Sequence, residues 1–326
     1  MHQPVPARGR LEFIDFARGM ALLAMAVYHF NWDLEFFGYV TPGTAATGGW
    51  KLFARCIASS FLFLVGVSLV LAHARGIRWR PFLKRVAMVA AAALAISIAT
   101  YIAVPSGFIF FGILHQIALA SLLGLAFVRL PAVVTILVAL LVIAAPNYLR
   151  SSVFDHPALW WVGLSETRPR SNDFVPIFPW FGPVLLGIAG ARIAEAIGLF
   201  DHLRQWQLPP ATRIVQKAGQ HSLAFYLIHQ PVLIAAIWLF TQFAPPAQIA
   251  RDVEFFNACS AQCAETHSAE FCAIYCGCVL AKLEAENRFD EVFEGRPTAE
   301  TSRRLQQMVE ACTFEADVTL PGEQIE

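Results

Sequence analysis

Apolar residues come in long blocks along this chain. A bilayer core takes about 20 apolar residues per helix, and seven stretches reach that scale, at roughly 14–37, 52–72, 86–104, 108–128, 131–148, 177–197 and 219–243. The third is nearly pure alanine, isoleucine and valine from Val86 to Val104, and the fifth, Val133 to Ala145, is similar. Such segments are read as helices, because lipid offers no partner for free backbone amides. The fold class is therefore all-α, a polytopic helical membrane bundle of about seven spans. The first apolar run lacks a small-residue cleavage site after it, so it is read as a retained span rather than a signal peptide. Two connecting segments stand out. Ala72–Arg85 is short and basic. Tyr148–Pro176 is long for a bundle and holds Asp155, His156, Trp160, Trp161, Glu166 and Asp173; a loop of that length is either functional or a surface cap. Pro176, Pro179 and Pro183 predict a bent start to the sixth span, with the freed carbonyls buried in protein.

Composition agrees. Of 326 residues 57% are apolar and 15% charged, against roughly 25% charged in soluble domains. Disordered chains, collagens and ordinary cytosolic enzymes are excluded. The net charge of +0 hides an asymmetry. Residues 1–250 carry 18 Lys/Arg and 9 Asp/Glu, whereas 251–326 carry 6 and 15. Six of the seven cysteines also lie in that acidic part, which defines two pieces: a membrane domain, 1–250, and a cysteine-rich tail, 251–326. With the N-terminus inside, the inner segments hold twelve basic residues and the outer ones five, the bias that sets membrane orientation. Seven spans then bring the tail outside, where its cysteines can pair. The predicted location is a cell inner membrane with a periplasmic tail. Cys259-x3-Cys263 and Cys272-x3-Cys276 each put two thiols on one helical face, so a hairpin stapled by two disulfides is expected, with Cys278 and Cys312 as a third pair. Six cysteines allow fifteen pairings. The competing reading, a zinc site using these thiolates or His267, lacks a familiar spacing, and no metal is expected.

Ionisable residues inside lipid are costly and face a partner or a wet cavity. In the first span Arg18 and His29 lie eleven residues apart, close to three helical turns, so they share a face with a rise of about 16 Å between them. Asp15 is one turn before Arg18 and Asp33 one turn after His29, at the spacings where side chains meet. Snorkelling and packing hydrogen bonds are the alternative reading. The fourth span carries His115 and Gln116, as cavity lining or as a tie between helices. Asp173 sits at the mouth of the sixth. In the seventh, Ser222, Tyr226 and His229 step by four and three and share a face.

The segment Ile14-Asp15-x-x-Arg18-Gly19, continued as Arg-x10-His to His29, resembles the first helix of transmembrane acyltransferases, including O-acetyltransferases of bacterial surface polysaccharides. Phe61-Leu-Phe-Leu-Val-Gly66, Phe111-Gly-Ile-Leu-His115-Gln-Ile, Asp173-Phe-Val-Pro-Ile-Phe-Pro-Trp180-Phe-Gly and Ser222-Leu-Ala-Phe-Tyr226-Leu-Ile-His229-Gln-Pro231 resemble more closely bacterial relatives of the heparan-α-glucosaminide N-acetyltransferase catalytic domain. The likeness covers about residues 10–242. It implies transfer of an acetyl group from cytoplasmic acetyl-CoA to a sugar-type acceptor, a glycan or glycolipid, across the bilayer. It also implies that Arg18 and His29 are the functional pair of the first helix.

The residues suit that chemistry. A base must take a proton from the acceptor hydroxyl or amine, and histidine matches neutral pH. His29 is the candidate, oriented by Asp33 as in a triad without the serine. Tyr226, His115 or Gln116 are candidate donors to the oxyanion, and Asp173 and His229 complete the candidate substrate wall. Arg18, with Arg75, Arg78, Arg80, Lys84 and Arg85 of the inner loop, would meet the donor's phosphates; topology alone also places positive charge there. A transporter or flippase using the same intramembrane groups is the alternative, as is a scaffold whose business is the tail. No nucleic-acid partner is expected.

Overall fold

The computed structural model describes residues 11–319 except 75, 168, 207, 247–250 and 296. Among these the chain is helical, with one isolated parallel bridge between Phe111 and Phe174. The helices are α1 Glu12–Phe36, α2 Gly48–His73, α3 Trp79–Ala103, α4 Ile113–Gly124, α5 Ala132–Ala144, α6 Ile177–Ala196, α7 Leu199–Gln205, α8 Arg213–Gln220, α9 Ser222–Thr241, α10 Arg251–Cys263, α11 Ala269–Ala285, α12 Phe289–Phe293 and α13 Ala299–Thr319. The basic positions Arg8, Arg10, Arg75 and Arg168 lie outside the described residues.

Five helices, α1, α2, α3, α6 and α9, are long and apolar enough to cross a bilayer. The fourth and fifth expected spans are the shorter apolar helices α4 and α5, so the count of seven is approximate. The fourth loses its first turns because the chain around Phe108–Gly112 runs non-helically beside 172–175. Asn172 N–H donates to the Gly107 carbonyl (2.9 Å) and Val175 N–H to that of Phe111 (3.0 Å). The fifth ends where Pro146 joins a 3-10 turn, Ala145–Asn147. Lipid-facing character shows in α3 and α5, where Leu94, Ile102, Leu137 and Leu141 are exposed.

The fold divides into two units, Met1–Ala26 with Ala54–Gln230, and Val27–Phe53 with Pro231–Glu326. In the first, α2 and α6 meet backbone to backbone. A Cβ on Gly66 would stand 2.1 Å from the Val184 carbonyl oxygen, and one on Gly187 2.1 Å from that of Phe63. Small residues at such crossings let membrane helices approach and gain dispersion contact. Around them pack fully buried Leu62, Val184, Leu185 and Ile188. The predicted bend at the start of α6 is present. Phe178 takes non-helical angles (φ −96°, ψ 122°). Its carbonyl oxygen would lie 2.2 Å from a Cβ at Gly163, whose φ of +91° itself demands glycine.

In the second unit, the Glu35 carboxylate accepts from the amides of Gly43 (2.6 Å) and Ala45 (2.7 Å), which fixes the turn after α1. The Tyr39 hydroxyl donates to the Ala244 carbonyl. The tail helices are stapled as expected, by Cys259–Cys276, Cys263–Cys272 and Cys278–Cys312. These bonds consume the thiolates that a zinc site would need. Val279, Leu283, Met308 and Cys312 form the tail's small core. Beside it Arg288 donates to Thr301 Oγ1 (2.7 Å) and to Glu300 (2.7 Å).

Candidate functional site

The first unit holds a cavity of about 160 Å³ where α2, α3 and α4 meet. Its wall on α2 is Val65, Ser68, Leu69, Ala72 and His73, the i, i+3, i+4, i+7, i+8 stripe of a single helical face. From α3 and the residue before it come Arg78, Pro81, Phe82, Arg85, Val86 and Val89, and from α4 come Ile117, Ala118 and Ser121. Arg78 and Arg85, two of the inner-loop residues expected at the phosphates, line it. Arg78, Arg85, Arg80 and Lys84 are all exposed, and Arg80 and Lys84 stand outside its lining.

Arg18 reaches this wall. Its Nη2 donates to Ser68 Oγ at 2.5 Å, and its Nη1 pairs with the buried Asp15 carboxylate at 3.1 Å. Asp15 is 2% exposed, so the pair carries the charge compensation that burial requires. The Ser68 hydroxyl in turn donates to the Leu64 carbonyl. The i, i+3 partnership of Asp15 and Arg18 was legible in the sequence; Ser68 and His73 were not singled out there. The signal that finds them is polar residues on the inner stripe of an otherwise apolar helix.

At the N-terminal end of α4 a second group gathers. The Asp173 carboxylate accepts from Ile113 N–H at 2.8 Å, capping a helix sixty positions away. Gly112 makes room for it, since a Cβ there would lie 2.3 Å from Asp173 Oδ2. Burial pushes the Asp173 carboxyl up to about 6, against the opposing pull of that backbone hydrogen bond. Tyr226 of α9 lies within electrostatic reach of it. His115 Nδ1 accepts from Gly112 N–H (3.2 Å), which leaves the ring proton on Nε2, facing Ser97 Oγ at 3.2 Å. The Ser97 hydroxyl donates in turn to the Ile109 carbonyl at 2.6 Å. The chain of donors is self-consistent and ties α3, the 108–112 segment and α4 together. Of the two sequence readings of His115, cavity lining or tie, this geometry is the tie.

Gln116 is different. It is fully buried, and neither its Oε1 nor its Nε2 has a hydrogen-bond partner among the described residues. A buried amide left so costs about 1–3 kcal/mol per group. Along α4 it falls between the Asp173-capped end and the cavity-lining Ile117–Ser121. His229 is 9% exposed, and its Nδ1 bonds the Tyr226 carbonyl at 2.7 Å, within its own helix.

His29 and Asp33 belong to the second unit and Arg18 to the first, although α1 carries all three. His29 is half-buried with its ring edge-on to Tyr28 at 5.6 Å, and Asp33 is fully buried. In the long loop, Asp155 Oδ1 accepts from the amides of Glu166 (2.9 Å) and Thr167 (3.1 Å), and the Trp160 indole donates to the Asp155 carbonyl (2.9 Å). Those side chains hold the loop's own shape.

Five helices long and apolar enough to cross a bilayer define an integral membrane protein, with Arg78 and Arg85 beside a mostly apolar cavity among its helices. The family model described as "Heparan-alpha-glucosaminide N-acetyltransferase, catalytic" matches residues 10–231, and the chain belongs to that family. Membership places it among membrane acyltransferases. No curated protein and no solved structure matches the chain.

Proposed function

We propose that the protein transfers an acetyl group from cytoplasmic acetyl-CoA to a hydroxyl or amine of a glycan or glycolipid on the far side of the membrane. The observation that carries this reading is the cavity lined by Arg78 and Arg85 and joined through Ser68 to Arg18. It lies at the end of α2 and the start of α3, flanking the basic loop that the positive-inside bias assigns to the cytoplasm. Guanidinium groups there meet the donor's phosphates, and the thin pantetheine arm runs along the bundle towards the outer side.

His29 is the general base that takes the acceptor's proton, and Asp33 orients its ring and stabilises the imidazolium. Attack on the thioester carbonyl makes a tetrahedral oxyanion. Tyr226, His115 or Gln116 would supply hydrogen-bond donors to it. The thiolate of CoA leaves, and the acetyl ester or amide departs on the outer side. Asp173 and His229 belong to the wall of the acceptor region. The N-terminus is inside, the membrane is the cell inner membrane, and the tail is periplasmic.

Titration of purified, lipid-reconstituted protein with CoA tests the donor assignment. Saturable binding, weakened in an Arg78→Gln/Arg85→Gln variant, supports it. Absence of CoA binding to folded wild-type protein removes it and favours a transporter that uses the same buried groups without covalent chemistry.

A further inference from the structure

His73 lines the cavity at the end of α2. It is 6% exposed, and its Nδ1 has no hydrogen-bond partner among the described residues. The ring packs edge-on against Phe82 at 5.3 Å, which fixes its plane. Arg78 and Arg85 both lie within electrostatic reach of it. The described lining includes no carboxylate, so two guanidinium charges and one imidazole N–H stand around the space without a counter-anion. A buried ring nitrogen without a partner costs free energy, and here the exposed guanidinium groups of Arg78 and Arg85 line the same space. At about 160 Å³ the space exceeds the roughly 30 Å³ share of one water several times over, so it admits a polyatomic anion.

We propose that this cavity is a phosphomonoester pocket and that His73 is the residue that reads the terminal phosphate. A phosphomonoester carries nearly two negative charges and three free acceptor oxygens. The charges answer Arg78 and Arg85, and the oxygens answer three donors, with the His73 Nδ1–H as the buried one. A phosphodiester offers one charge and two free oxygens and fits the set less well. The proposal rests on the donor reading above for its source, the phosphate carried on the ribose of CoA. A phosphatidic acid headgroup presents the same chemistry.

The test uses full-length protein in phosphatidylcholine nanodiscs, with and without added phosphatidic acid, titrated with CoA and with dephospho-CoA. His73→Phe keeps the ring volume against Phe82 and removes the nitrogen. His73→Asn returns a short donor to the same place and checks that any loss is not a folding defect. The expected result is a loss of about tenfold in CoA affinity for His73→Phe, unchanged dephospho-CoA affinity, and recovery in His73→Asn. Equal loss for both ligands overturns the phosphate assignment. No loss for either, in protein that binds CoA, overturns the role of His73 and leaves the donor reading standing. If wild type ignores CoA but is stabilised by phosphatidic acid, and His73→Phe abolishes that effect, the phosphomonoester pocket stands and the donor reading falls. Indifference to both phosphates overturns both.

Discussion

An Asp173→Asn substitution keeps an oxygen facing the Ile113 amide and removes the charge. The carboxyl is pushed up from 3.8 to about 6, chiefly by burial. A group whose folded value lies above its unfolded one contributes its stability fully below the unfolded value and loses it as pH rises through the folded value. For Asp173 the window is therefore pH 3.8 to about 6. At about 1.4 kcal/mol per pH unit the loss across it is at most about 3 kcal/mol, and less to the extent that water reaches the half-buried carboxylate. The asparagine variant stays neutral throughout and retains the cap to Ile113. Melting followed by intrinsic tryptophan fluorescence from pH 4 to pH 8 reads the difference. The variant should gain on wild type as pH rises through about 6 and hold a lead of a few degrees above it. A difference between the two proteins that is flat across this range, or that narrows as pH rises, refutes the reasoning.

The cap itself shows what a sequence conceals. Asp173 was visible as an acidic residue at the mouth of a span, but its partner is the Ile113 amide, on a helix end that neither hydropathy nor spacing specifies. The same pairing of 108–112 with 172–175 shortens α4, which hydropathy read as a full span from 108. By contrast the Asp15–Arg18 pair follows from a separation of three along a helix, and the two Cys-x3-Cys spacings pointed to a stapled hairpin while leaving its connectivity open. His115 illustrates the intermediate case. Its place in a membrane helix was evident, while its engagement by Gly112 and Ser97 depends on tertiary neighbours. The cavity needed three helices at once. Its basic residues were anticipated as a group, but a hydropathy trace does not separate Arg78 and Arg85, which line the space, from Arg80 and Lys84, which do not.

Further expectations concern stability. Gly187→Ala places a Cβ 2.1 Å from the Phe63 carbonyl oxygen, a backbone atom that cannot swing aside. Overpacking of this kind costs about 1–3 kcal/mol or more, so the melting temperature and the yield of monodisperse protein should fall, and an unchanged melting temperature contradicts the α2–α6 contact. The Cys278–Cys312 bond closes the longest tail loop, with a separation of 34. A Cys278→Ser/Cys312→Ser variant should lose about 3–4 kcal/mol of tail stability, seen as faster proteolysis within 251–319; equal cleavage rates with and without the bond argue against the staple.

The proposed function turns on acetyl transfer with His29 as the base. Protein reconstituted into vesicles, given radiolabelled acetyl-CoA on the cytoplasmic face and glycan acceptors on the other, measures it directly. The account predicts label on the acceptor side with wild type and a fall of about 100-fold or more with His29→Ala, while CoA binding at the Arg78 and Arg85 cavity persists. Transfer by His29→Ala at the wild-type rate rules out His29 as the base.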